Sequence, residues 1–199
     1  MHKRNEQWWN RCKNTYGIYL NNKASKIIEF GSYNINGSLR DMFACHEFYL
    51  GIDWRPQTRY VDIVSLAHEL KLDQKFDAVI SASMLEHDPY WEKSLANMLS
   101  YMKDDGIMIL SWGAALNAPH CLAEAPDGHF HSLKAGSVIN KLRELGMYIH
   151  EFWYEGLLYP DPQNTYATGM GEVALLAFKD AKYARGEQTI NELLPEDRA

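Results

Sequence analysis

Strand-like and helix-like segments alternate along most of this 199-residue chain, and this alternation restricts its fold more than any other feature. The predicted strands are Lys26–Phe30, Phe48–Asp53, Val61–Val64, Phe76–Ser81, Ile107–Trp112, Met147–Tyr154 and Glu172–Phe178. The predicted helices are 5–20, Ser38–Ala44, Ser65–Leu72, Pro89–Met102 and Lys134–Leu145. Such alternation predicts a mostly parallel α/β sheet with helices on both faces. The last two strands have no convincing helix between them, so we expect them to pair antiparallel.

The composition fits one globular domain over residues 1–199, with 46% hydrophobic and 23% charged residues. We expect a polar C-terminal tail over 180–199 to be peripheral. No apolar run approaches the ~20 residues that span a bilayer. The N-terminus has no apolar signal segment, so a cytoplasmic location is expected.

The charge and the cysteines exclude several classes of site. A formal net charge of -6 disfavours a surface for long nucleic acids. Cys12, Cys45 and Cys121 are scattered and form no CxxC pair, so we expect neither a disulfide framework nor a metal site.

The loop after the first predicted strand, in the stretch IEFGSYNINGS, is the first indication of a ligand. In a parallel sheet, ligands bind beyond the carboxyl ends of the strands, where the strand order reverses. A dinucleotide fingerprint would need a second glycine where Tyr33 stands. Gly31 still permits a sharp turn, and Asn36-Gly37 can adopt left-handed backbone angles. The result is a wide loop that could surround an uncharged ribose and an amino-acid moiety.

Five segments in order resemble the motifs of class I S-adenosylmethionine-dependent methyltransferases, over about residues 26 to 179. They are IEFGSYNINGS, YLGIDWRP, FDAVISASMLEHDPYW, DDGIMILSW and GHFHSLKAGSVINKLRELGM. The Leu-Glu-His at 85–87 is typical of a large subgroup. The resemblance implies a Rossmann-like methyltransferase fold, with a seven-stranded sheet whose last strand is antiparallel. It also implies S-adenosyl-L-methionine as cofactor and S-adenosyl-L-homocysteine as product.

The resemblance also implies roles for individual residues. Glu29 and Gly31 would shape the methionine side of the cofactor site, and Ser32, Tyr33 and Gly37 would also bind the cofactor.

Asp53 would bind the ribose hydroxyls, and Trp54 would lie on the adenine face. Asp62 would lie near the adenine amino group, Ile63 would also bind the cofactor, and Ser81 would border the methionine and sulfonium end. Trp54 is equally consistent with core packing, and Asp62 with helix capping.

Three histidines are candidates for contact with the methyl acceptor. Methyl transfer needs a general base only when the acceptor is a hydroxyl or a protonated amine, and histidine titrates near neutral pH. His87 follows the fourth strand; its alternative role is to hold the loop. His129 and His131 are spaced so that an extended segment would send them to opposite faces. Glu86 could orient His87, but we expect it to face solvent.

The predicted function is methyl transfer to a small-molecule, glycan-type or lipid-linked acceptor, at oxygen or nitrogen. Loops Gly113–Leu133 and Leu157–Gly171 would build the acceptor pocket. The alternatives are a non-catalytic cofactor-binding module that supports a partner protein and a nicotinamide-dependent oxidoreductase. The N-terminal helix could be a lid over the cofactor or could pack against the sheet. The oligomeric state and the identity of the acceptor stay open.

Overall fold

The computed structural model describes residues 3–35, 37–43, 48–114, 119–120, 122–155, 171–184 and 189–190. Strands β1 to β8 are Lys26–Phe30, Phe48–Asp53, Ile63–Val64, Phe76–Ala82, Met102–Gly113, Tyr148–Glu155, Glu172–Phe178 and Thr189–Ile190. Helices α1 to α5 are Lys3–Thr15, Gly17–Leu20, Leu39–Met42, Trp91–Ser100 and Ala135–Glu144. Loop Leu157–Gly171, predicted to build part of the acceptor pocket, lies outside the described residues except for Gly171.

All strands belong to one sheet in the order β3-β2-β1-β4-β5-β7-β6-β8. Strands β3, β2, β1, β4 and β5 are parallel to one another, whereas β7 is antiparallel to both β5 and β6. The seven predicted strands therefore form, and the antiparallel closure by the last two is confirmed. Strand β8 adds a two-residue parallel pairing at the edge beside β6.

Alternating side chains along the central strands build two cores, one on each face of the sheet. On β1, Ile28 belongs to the core that α4 and α5 cover, whereas Ile27 belongs to the core that α1 and α2 cover. On β5, Met108 and Ile109 alternate in the same way. Both faces are thus apolar, which explains why these strands read as continuous hydrophobic runs.

The N-terminal helix packs against the sheet. Trp9 is fully buried and its indole Nε1 donates to Ser111 Oγ on β5 at 3.2 Å. Arg11 and Tyr16 both bind the buried carboxylate of Glu151 on β6. These contacts favour the packing role that the sequence left open.

In the described part of the chain, no helix combines the length and apolar character needed to cross a bilayer.

The helix predicted for Ser65–Leu72 is wrong: this stretch forms only a turn after β3. Two of its carbonyl groups accept hydrogen bonds from side chains of α4 and of the residue after it, on the same face of the sheet. Asn97 Nδ2 donates to the Ala67 and Leu70 oxygens at 2.8 and 3.0 Å, and the Tyr101 hydroxyl also donates to Leu70. Tertiary hydrogen bonds have replaced the ladder that a helix would need.

The helix predicted to extend from Pro89 to Met102 is shorter than expected. It spans Trp91–Ser100, and Met102 already begins β5. Strand β5 begins at Met102, five residues before the predicted start at Ile107, and its pairing with β4 shifts register between Phe76 and Ala78.

Candidate functional site

A cavity lies beyond the carboxyl ends of β1, β2 and β4, where the strand order reverses. Its walls come from the segments that follow β1, β2, β3, β4 and β5, together with residues of the 113–133 loop. This is the position at which doubly wound sheets bind their ligands.

The turn after β1 approaches the cavity closely because it begins with glycine. Gly31 has a φ of +81°, and a Cβ at this position would lie 2.6 Å from Met84 Cβ. The amides of Gly31 and Ser32 both donate to the Ile52 carbonyl, at 2.9 and 3.0 Å. The Ser32 hydroxyl is buried without a hydrogen-bond partner and its residue lines the cavity. A ligand group here would meet an unsatisfied polar atom.

The second glycine of this loop also adopts a left-handed conformation. Gly37 has a φ of +114°, and its amide donates to Asn34 Oδ1 at 2.9 Å. The predicted backbone freedom is confirmed at Gly37, whereas Asn36 lies outside the described residues. Both Tyr33 and Gly37 line the cavity.

Asp53, the last residue of β2, is held by backbone amides on both oxygens. Oδ2 accepts from the Tyr33 amide at 3.2 Å, and Oδ1 accepts from the Arg55 amide at 3.0 Å. Burial raises the pKa of this carboxyl, opposed by these hydrogen bonds. Each carboxylate oxygen can accept further hydrogen bonds, so the group is oriented but not saturated.

Aromatic rings and one guanidinium form the wall beside Asp53. The Arg55 guanidinium lies 3.8 Å from the Tyr33 ring centroid and 5.4 Å from that of Trp54. Trp54 is 36% exposed and lines the cavity, so it is not a core residue.

Glu29 reaches the cavity from β1. It is 3% exposed and accepts a hydrogen bond of 2.6 Å from the Tyr49 hydroxyl. Burial raises the pKa of Glu29 to about 8, although the Tyr49 hydrogen bond opposes the shift.

The end of the cavity beyond β4 and β5 contains Glu86, His87 and His120. The expectation that Glu86 faces solvent is wrong, because it is 1% exposed and its Oε1 accepts from the Gly113 amide at 2.8 Å. Burial raises the pKa of Glu86 to about 7. No local sequence pattern predicts this burial, because the Gly113 amide belongs to β5. His120 lies within the predicted loop Gly113–Leu133 and was not a predicted site residue, yet its ring centroid lies 5.2 Å from that of His87.

Five of the residues predicted for the site are placed elsewhere. Asp62 binds Arg40 and accepts from the Gly51 amide at 2.7 Å, and Ser81 donates to the Phe30 carbonyl at 2.8 Å. Ile63 belongs to the edge strand β3. None of these three lines the cavity.

His129 and His131 also do not line the cavity. The His131 amide donates to the Glu86 carbonyl, and its Nε2 lies 3.0 Å from the Leu85 carbonyl. The rings of the two histidines are 5.0 Å apart, so the prediction of opposite faces is wrong. Burial lowers the pKa of His131. Of the three predicted catalytic histidines, His87 is therefore the one that the structure brings to the cavity.

No protein-family model and no curated protein matches the sequence. Solved structures do match its fold. An S-adenosylmethionine-dependent methyltransferase from Clostridium acetobutylicum is 9% identical, with a TM-score of 0.59 over 85% of this chain and 90% of that one. A Burkholderia thailandensis 1,6-didemethyltoxoflavin-N1-methyltransferase, with S-adenosylhomocysteine bound, is 14% identical, with a TM-score of 0.59 over 85% and 75%. The cyclase SpnF is 17% identical, with a TM-score of 0.59 over 85% and 80%. The chain therefore has the Rossmann-like methyltransferase fold.

Proposed function

We propose that this protein transfers a methyl group from S-adenosyl-L-methionine to the oxygen or nitrogen of a small-molecule or sugar-like acceptor. The observation that carries the proposal is the geometry of Asp53. Two backbone amides fix its carboxylate at the end of β2, beside the Gly31 turn, and both oxygens retain acceptor capacity. A ribose diol presents two hydroxyl donors to such a group.

The charge of the cavity also fits this donor. Its described acidic lining residues are Glu29, Asp53, Glu86, Asp88 and Glu172, and its one described Lys or Arg lining residue is Arg55. S-adenosylmethionine carries a sulfonium and an ammonium group, which the ionised carboxylates of this lining attract. A nicotinamide dinucleotide would instead bring a pyrophosphate to a turn in which Tyr33 occupies the place of the usual second glycine.

The fold supplies positioning for an in-line displacement at carbon. The acceptor atom would attack the methyl carbon, and the carbon–sulfur bond would break with its electrons retained by sulfur. Because the donor is already activated, alignment and exclusion of water supply much of the rate, up to ~7–11 kcal/mol in favourable systems. His87 would lie at the acceptor end of the cavity.

Calorimetric titration with S-adenosylhomocysteine and, separately, with NAD⁺ tests the proposal. We expect binding of the first alone, and loss of that binding in Asp53→Ala. The control is Asp104→Ala, because Asp104 is 91% exposed and pairs with Lys179 away from the cavity. Unchanged affinity in Asp53→Ala would refute the assigned role. Mass spectrometry of purified protein for the co-bound donor or product is an independent check.

A methylated product separates the enzyme from a non-catalytic binding module. Binding of the donor without transfer to any acceptor in a screen of hydroxylated and amine compounds would support the module. SpnF, which is named a cyclase, has a similar fold. The fold alone therefore does not distinguish a methyltransferase from a protein that only binds the donor.

A further inference from the structure

Glu86, His87 and His120 form a cluster with the geometry of a metal site. Each offers one ligand atom, and these three atoms lie within 4.8 Å of one another. All three residues line the cavity. Two imidazoles and one carboxylate are a common ligand set for divalent transition metals, with coordination positions left open for water or substrate.

The second carboxylate oxygen of Glu86 independently indicates a ligand. Oε1 is fixed by the Gly113 amide, whereas Oε2 is buried and has no hydrogen-bond partner. Leaving a buried polar atom unsatisfied costs about 1–3 kcal/mol. A cation at the cluster would provide the partner that this oxygen lacks.

Neighbouring groups orient the two imidazoles. His87 Nδ1 lies 3.3 Å from the His129 carbonyl oxygen. A carbonyl oxygen can only accept, so Nδ1 carries the proton and Nε2 carries the lone pair. Metal-binding histidines are held by hydrogen bonds of this kind. The Phe130 ring packs against both, with centroids 5.6 Å from His87 and 5.0 Å from His120.

We propose that Glu86, His87 and His120 bind one divalent transition-metal ion, such as Zn²⁺, with its open coordination positions directed at the acceptor end of the cavity. The site itself does not depend on the proposed methyl transfer, but its role does. The metal would bind the acceptor hydroxyl as a Lewis acid and lower its pKa. The O–H proton would pass to solvent, the oxygen would form a bond to the methyl carbon, and sulfur would leave as a neutral thioether. This narrows the acceptor to a hydroxyl compound and makes His87 a ligand instead of a base.

Titration of chelator-treated, full-length protein with CoCl₂ tests the site through the visible absorption of bound Co²⁺, and calorimetry with ZnCl₂ gives the stoichiometry. We expect one equivalent of metal. His120→Ala and Glu86→Gln should each weaken binding by more than about tenfold, a loss that even the removal of an outer-shell partner can cause. Glu86→Gln keeps an oxygen that can accept from Gly113, so it tests the ligand without removing the loop contact.

His68→Ala is the matched control, because His68 packs against Tyr90 with ring centroids 4.4 Å apart and does not line the cavity. It should bind metal as the wild type does. Absence of one-to-one binding in the wild type would overturn the proposal, as would wild-type affinity in both His120→Ala and Glu86→Gln.

Donor binding is measured separately and keeps the two proposals distinguishable. Metal binding without S-adenosylhomocysteine binding would leave the metal site standing and refute methyl transfer. The reverse result would refute the metal site alone.

Discussion

The buried acid on β1 should make the stability of this protein fall as the pH rises, and Glu29→Gln isolates that effect. The folded state holds the Glu29 proton up to about pH 8, whereas the carboxyl has a pKa of 4.5 when it is not perturbed. Between these values the folded state binds one proton that the unfolded state has lost. Stability therefore decreases with pH in this range, since the unfolded state binds fewer protons.

The size of the effect follows from the proton count. One proton corresponds to 1.36 kcal/mol per pH unit, so this group should remove about 3 kcal/mol of stability between about pH 5.5 and pH 7.5. Glutamine cannot ionise, and its amide oxygen can still accept from the Tyr49 hydroxyl. The variant should therefore lose about 3 kcal/mol less stability than the wild type over the same interval.

Urea unfolding at the two pH values, followed by circular dichroism, measures both differences. Glu86, whose pKa burial also raises, contributes in the same direction to both proteins and cancels in the comparison. Glu6→Gln is the control for the loss of a charge, because Glu6 is exposed on α1. Identical pH dependence in the wild type and Glu29→Gln would refute the argument that Glu29 is held protonated.

Three further predictions concern donor binding, strand β2 and the N-terminal helix. Binding of S-adenosylmethionine near neutral pH should release a proton from Glu29. The heat of binding measured by calorimetry should then depend on the ionisation enthalpy of the buffer, and Glu29→Gln should abolish this dependence. Gly51→Ala should destabilise the protein by about 1–3 kcal/mol or more, because its Cβ would lie 2.2 Å from the Tyr60 carbonyl oxygen. Gly17→Ala, whose Cβ meets only a side chain at 3.2 Å, should cost less in the same urea assay. Trp9→Ala should cost about 3–5 kcal/mol yet leave S-adenosylhomocysteine affinity unchanged, whereas a lid would lose affinity.

Local sequence patterns predicted the elements that local forces determine. The bounds of β1 were predicted without error, since an apolar run there ends at a glycine that turns the chain. Gly37 adopts the left-handed backbone conformation expected of it, because glycine has no side chain to oppose a positive φ. The helix predicted for Ser65–Leu72 does not form, and Asn97, far away in the sequence, donates to two carbonyl groups of this stretch.

The end of the cavity beyond β4 and β5, which is the proposed acceptor end, was harder to predict, because distant segments assemble it. Glu86 is a polar residue in the short 3₁₀ helix Leu85–His87 after β4, and its buried carboxylate accepts from an amide 27 positions away. His120 is 33 positions from His87 in the sequence, and the two rings come together only in the folded chain. No spacing rule connects these residues, so the sequence alone indicated no metal ligands.

The two ends of the cavity are built differently, and this should separate their mutational effects. At the donor end, backbone amides fix Asp53, and the positive φ of Gly31 brings the chain close to the cavity. The proposed acceptor end is lined by side chains, among them Glu86 and His87, that only a few loop contacts hold in place. Because loops change more readily than strand ends, the acceptor preference can change while the donor site persists. Variants of Glu86 should therefore alter transfer or metal binding while S-adenosylhomocysteine affinity stays close to that of the wild type, and variants of Asp53 should do the opposite.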